Sequence, residues 1–181
     1  MKAVSRRDKE SGPLSDLIIK LVDLKNLTMD MILMKPGEFS RKQIQRSLYY
    51  LKNKKFIAFP ARTPLDRIVL TKLGINRLNE IKFEKLQIKP QPWDGKWRLL
   101  TFDVPEDQYA RRDIFRRKLK ELGFFHFQRS VFIIPHPCAK EINMITEYLR
   151  ISPNVHLLTA DRFHGDSYLV KKFQLQLPRN P

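Results

Sequence analysis

Cysteine is all but missing from this chain. Cys138 is the single thiol in 181 residues, so an intrachain disulfide is excluded and a reducing compartment is the natural home. Long apolar runs are missing too, and none approaches the roughly 20 residues that a bilayer-spanning helix needs. The first residues, MKAVSRRDKESG, are charged with no apolar stretch behind them, so no export signal is read there. A soluble, cytoplasmic protein is expected. Glycine is scarce, at six residues, and they form no Gly-rich phosphate loop. No Ser/His/Asp constellation occurs, and His126, His156 and His164 have no partner at an interpretable spacing. Acids are the remaining shortage, 19 against 35 Lys and Arg, for a net charge of +16. An excess of that size points to a polyanionic partner, most simply nucleic acid. It is unevenly spread: residues 1–92 hold 20 basic and 9 acidic side chains, residues 93–181 hold 15 and 10.

The apolar fraction of 42% supports packed cores. The most informative stretch runs from Trp97 to Ile134. Trp97 to Val104 reads as a strand stopped by Pro105. Glu106 and Asp107 suit a helix N-terminus, Ile114, Phe115, Leu119 and Leu122 give a helical stripe, and Gly123 suits its end. Phe124–Gln128 and Ser130–Ile134 read as strands, Ala139–Leu149 as a second helix and Val155–Ala160 as a short strand. The order is β-α-β-β-α-β, the ferredoxin-like arrangement. Its strands do not alternate apolar and polar. Trp97, Leu99 and Thr101 share a face with Asp103, while Leu100, Phe102 and Val104 fill the other. Strands apolar on both sides need cover on both sides. Two helices cover one, so the second is expected to meet another copy through Trp97, Leu99, Thr101, Phe132 and Ile134, with Asp103 near the dimer axis.

In the amino-terminal half, Leu14, Leu17, Ile18, Leu21 and Val22 form one helical stripe. Leu24 to Met34 carries a second apolar set, and Pro36-Gly37 interrupts it. Ser40 is a good N-cap for a helix with Ile44, Leu48 and Leu51 inward and Arg41, Lys42, Gln45, Arg46 and Tyr49 outward. A strand at Phe56–Phe59, a tip with Arg62 and Pro64, and a strand at Arg67–Leu70 follow. Thr71 then caps a further helix. Helices followed by a hairpin with a basic tip suggest a winged helix-turn-helix, in which a helix enters the major groove and the wing tip reaches backbone. The α+β chain is thus divided into a winged helix-turn-helix over 13–85, a Pro-containing linker over 86–94 and a ferredoxin-like dimerisation domain over 95–177.

The residues WDGKWRLLTFDVPE, RRKLKELGF and QRSVFIIPHPC resemble the middle domain of the PaaX family of regulators. That domain is itself similar to the small ferredoxin-fold endonuclease subunit of CRISPR spacer acquisition. The resemblance implies a homodimer and a DNA-binding repressor whose winged helices bind an inverted-repeat operator in double-stranded DNA. The CRISPR relatives imply an alternative, a metal-dependent nuclease or a non-catalytic spacer-acquisition subunit. Their acid associated with divalent metal matches Asp103.

Asp103 is therefore the candidate catalytic and metal residue, with Mg²⁺ the expected ion; DNA binding itself requires no cofactor. A strand-end acid capping a helix or pairing with Arg129 is the plainer reading. The candidate DNA contacts are Arg41, Lys42, Gln45, Arg46, Tyr49, Arg62 and Arg67, with Arg112 and Arg116 on the second unit. The last two belong to a row that either tracks phosphates or forms a solvated helix face. His136 and Cys138 in PHPC are two donors without a second pair, a weak metal motif. The residues name no small-molecule effector.

Overall fold

The computed structural model describes residues 12–24, 39–59 and 68–176. The chain divides into two compact units, Met1–Glu84 and Lys85–Pro181.

The first unit contains helix α1 (Pro13–Leu24), helix α2 (Arg41–Asn53), strands β1 (Ile57–Ala58) and β2 (Val69–Leu70), and helix α3 (Lys72–Glu84). Its core takes Ile18, Ile19 and Val22 from α1, Ile44, Leu48 and Leu51 from α2, and Leu78 and Ile81 from α3. The three- and four-residue spacings within each set put one stripe of each helix inward. β1 and β2 pair antiparallel, with Ile57 opposite Leu70. The Thr71 hydroxyl accepts the Gly74 N–H at 3.1 Å and donates to the Lys55 carbonyl, so it caps α3 and ties it to the end of α2. A Cβ at Gly74 would lie 1.9 Å from the Phe56 carbonyl oxygen; only glycine lets α3 approach β1 this closely. The expected second apolar set at 24–34 lies, but for its first residue, outside the described residues, as does the hairpin tip with Arg62 and Arg67.

The second unit contains β3 (Trp97–Phe102), α4 (Tyr109–Glu121), β4 (Phe125–Gln128), β5 (Val131–Ile134), α5 (Ala139–Leu149), β6 (Val155–Ala160) and α6 (Ser167–Lys172). The sheet runs β4-β5-β3-β6 with every neighbouring pair antiparallel, the order expected of a ferredoxin-like fold. A short 3₁₀ turn at Glu106–Gln108 holds the acids that suggested the helix start, and the α-helix itself begins after it, at Tyr109. Gly123, at φ 89°, ends it. The stretch read as a linker is partly structural. Trp93 is buried, and Asp94 makes a two-pronged pair with Arg98 at 2.6 and 2.7 Å.

Register corrects the expected second-copy contact. Leu99 pairs with Ile133, and Leu100 with Phe132. Directly opposed residues share a face, so Phe132 and Ile134 belong with Leu100 and Phe102, not with Leu99. Phe102 stacks on Phe132 and meets Phe115 of α4 edge-on, which identifies this as the helix-covered face. Trp97 lies on the opposite face but is not open either. It is buried with Trp93, Ile133 and Leu169 of α6, and Phe125, Phe163, Phe173 and Leu175 pack around them. Trp97, Phe132 and Ile134 are 0, 0 and 2% exposed within one chain, so none is available as a contact. Much of the second apolar face is roofed by the chain's own α6.

Asp166 pins this roof. It accepts the Trp97 indole N–H at 2.8 Å, two bonds from Arg162 at 2.6 and 2.7 Å and the Phe163 N–H at 3.3 Å. The Arg162 hydrogen bonds, aided by Trp97 and Phe163 against the opposing effect of burial, hold its carboxyl at about 2.

Candidate nucleic-acid interface

α2 displays a cationic strip on a rigid support. The Ser40 N–H donates to Gln43 Oε1 at 2.7 Å, and the Gln43 N–H donates to Ser40 Oγ at 3.3 Å. This reciprocal capping box fixes where the helix starts. Burial of Ile44, Leu48 and Leu51 fixes its rotation. What remains outward is Arg41, Lys42, Gln45, Arg46, Tyr49 and Lys52, all exposed. At 3.6 residues per turn they fall within roughly 140° of the helix circumference.

Electrostatics separates this strip from an ordinary solvated face. A helix N-terminus favours anions, yet the first turn of α2 has no acid and opens with Arg41-Lys42. No side chain of α2 is acidic, so its cations have no partner on their own helix. A polyanion lying across the strip would supply that missing charge. Tyr49, 69% exposed, borders a shallow cavity of about 220 Å³ lined also by Gln45, Leu48, Lys52 and Phe59.

Sequence reasoning missed Lys52 on the helix itself and Lys54 and Lys55, exposed just past its C-terminus. A signal was available: no acid occurs between Glu38 and Asp66, where seven Lys and Arg fall. Lys55 stands in the left-handed region at φ 56°. Phe56 N–H closes back on the Leu51 carbonyl at 2.9 Å beside it. Glycine usually fills such a helix exit.

The second unit's strand order, all-antiparallel sheet and pair of crossover helices narrow the comparison for residues 85–181. A family model described as the PaaX protein central Cas2-like domain matches residues 90–169. Those 80 of the chain's 181 residues are similar to that domain. The PaaX central domain match begins within the Pro-containing stretch and ends at Leu169, the α6 residue that closes over Trp97. An uncharacterised Mycobacterium tuberculosis protein, Rv0674, is similar at 15% identity and a TM-score of 0.41, over 88% of this chain and 66% of that one. The chain thus spans a little under two thirds of that protein's length. None of the curated proteins matches it.

Within the matched stretch, Asp103 lies just past β3, exposed, its backbone N–H bonded to the Asn154 carbonyl at 2.9 Å. No group of three or more His, Cys, Asp or Glu side chains suited to a metal ion occurs among the described residues. Arg116 is half-buried, and its guanidinium reaches the Arg129 carbonyl at 3.3 Å and His126 Nε2 at 3.4 Å. Arg112 is half-buried as well, whereas Arg117 and Lys120 stand exposed beside them. Thr101 and Leu99 are half-buried on the α6 side of the sheet.

His136 and Cys138 of this domain are part of its packing. Cys138 is 1% exposed, and burial, reinforced by Glu141, pushes its thiol up to about 12. A protonated, enclosed thiol is a poor metal ligand. Burial, then the charge of Arg98, lowers the pKa of His136, which accepts the Gln91 N–H at the long distance of 3.5 Å. No helix among the described residues is long and apolar enough to cross a membrane.

Proposed function

We propose that the chain is a sequence-specific DNA-binding transcription regulator, a repressor that acts as a homodimer. The Met1–Glu84 unit is a winged helix, and α2 is the helix that enters the major groove. The observation that carries this reading is the acid-free strip of Arg41, Lys42, Gln45, Arg46, Tyr49 and Lys52 on a helix whose start and rotation are both fixed. Arg41, Lys42, Arg46 and Lys52 contact phosphates, and Arg62 and Arg67 add to them from the hairpin. Gln45, between them, reads a base edge, adenine being the pairing that suits an amide. The PaaX-type central domain supports a regulator, and pairing of two chains presents two reading helices to the half-sites of an inverted repeat.

Selection from a random duplex library, followed by affinity measurements between 50 and 200 mM salt, tests the proposal. Six cations from each chain make up to twelve phosphate contacts per dimer, and even half of these predict a fall of roughly 10³-fold or more across that range. Enrichment of an inverted repeat together with that steep slope is expected. A shallow slope, or no enriched sequence, overturns the reading.

A further inference from the structure

The cationic strip on α2 is not polar throughout. Between Gln45, Tyr49 and Lys52 the surface dips into the shallow cavity of about 220 Å³, whose lining also includes Leu48 and Phe59. Leu48 is 4% exposed and belongs to the core of the first unit, and Phe59 is half-buried against that core. The hollow is therefore an apolar opening in the face that carries the cations. Helical spacing assembles it. Gln45 and Tyr49 are four residues apart, as are Leu48 and Lys52, so each pair is adjacent on the helix surface. Phe59, just past β1, supplies the remaining wall. The Lys52 ammonium lies 5.6 Å from the Phe59 ring centre, which holds its charge at the rim. Tyr49 borders the hollow yet is 69% exposed, so its aromatic surface gains cover only when a ligand enters.

We propose that this hollow receives the 5-methyl group of a thymine in the major groove, and that Tyr49 makes the contact selective. Charge decides the class of ligand. No acid lies between Glu38 and Asp66, where seven Lys and Arg fall, so the surface around the hollow fits a polyanion. Shape and polarity decide which part of it enters. The thymine C5-methyl is the one apolar group that base edges present in the major groove; the others are hydrogen-bond donors and acceptors. A polar base edge placed over Leu48 and Phe59 would lose its water without gaining a partner. Distance limits the position. Four residues of helix rise about 6 Å, and successive bases lie about 3.4 Å apart, so the thymine falls within two base pairs of the adenine assigned to Gln45. The inference rests on the DNA-binding reading of α2 and deepens it, adding a second specificity determinant beside Gln45.

The test replaces each thymine of the selected duplex by deoxyuridine, in both half-sites at once. Affinity is measured by anisotropy at one salt concentration for the native chain, Tyr49→Phe and Tyr49→Ala. Deoxyuridine keeps every pairing and hydrogen-bonding group and removes only the methyl. Burial of one methyl is worth about fourfold in affinity, so two per dimer are worth about 15-fold. The expected result is a loss of that size at one thymine, within two base pairs of the position whose preference Gln45→Ala relaxes. Tyr49→Phe, which keeps the ring, should retain the loss, and Tyr49→Ala should bind the thymine and deoxyuridine duplexes alike. Tyr49 is uncharged and exposed, so Tyr49→Ala should keep the native salt slope and melting temperature. A duplex bound with a steep salt slope but with no methyl-sensitive position overturns the thymine contact and leaves the DNA reading standing. A methyl effect undiminished in Tyr49→Ala overturns the assignment to this hollow. A shallow salt slope, or no enriched sequence, overturns both the contact and the reading it rests on.

Discussion

The Trp97 indole N–H and the Asp166 carboxylate meet at 2.8 Å across 69 residues of sequence. That bond joins the first strand of the sheet to the start of the helix roofing it, and it gives the second unit a pH dependence of known sign. The folded carboxyl titrates at about 2, below the ordinary value near 3.8. Its contribution is therefore complete above the unfolded value and is lost as pH falls from about 4 through 2. Asp166→Asn should lower Tm at neutral pH, by about 2–3 kcal/mol of stability. It should also flatten the acid limb of the stability curve, and an unchanged limb would show that the bond carries none of it. Thermal melts from pH 2 to 7 make the comparison.

On α2, Arg46→Ala should weaken binding to all duplexes and reduce the salt slope of the dimer by about 2, one phosphate contact being lost from each chain. Gln45→Ala should instead relax preference at one base pair, by about 1–3 kcal/mol, with the slope unchanged. Both side chains are exposed, so melting temperatures should stay near native. Anisotropy titrations against the selected site and a scrambled duplex separate the two effects.

Lys55 offers a contest between stability and binding. A left-handed residue with a Cβ costs about 1 kcal/mol relative to glycine. Lys55→Gly should therefore raise the denaturation midpoint and, by removing a cation beside the strip, weaken DNA affinity several-fold. A variant that is both more stable and as tight-binding as the native chain would place Lys55 outside the interface.

Asp103 is proposed to have no part in DNA affinity. Mg²⁺ should weaken binding only as a competing counterion does, and Asp103→Asn should match the native chain both in EDTA and in Mg²⁺. Incubation of DNA and RNA with Mg²⁺ or Mn²⁺ is the complementary assay. Cleavage that Asp103→Asn abolishes would reassign this residue to metal chemistry.

Local chemistry was legible in the sequence where a single residue decides the outcome. Ser40 and Thr71 cap the helices expected of them, and α5 and β6 occupy the ranges their apolar patterns mark. The β-α-β-β-α-β order followed from punctuation at Pro105, Gly123 and Pro135. What could not be read was which strand residues lie opposite each other. Phe132 was grouped with Leu99, and a shift of one residue moves it to the other face. The double-sided greasiness of β3 was real, but its cause lay in a six-residue helix too short to show periodicity. The cations of α2 were visible as residue types; their one-sided display became visible only with the burial of Ile44, Leu48 and Leu51.

The dependence of the sheet on α6 sets a practical boundary for expression. Cutting the chain after Ala160 keeps all six segments of the ferredoxin-like pattern but strips Leu169 and Phe173 from Trp97 and Ile133. The fragment would present two indoles and an isoleucine to water on a cationic body and precipitate on purification. A cut beyond Leu175 retains the lid and should yield a well-behaved domain, so the smallest workable fragment is larger than its strand count suggests.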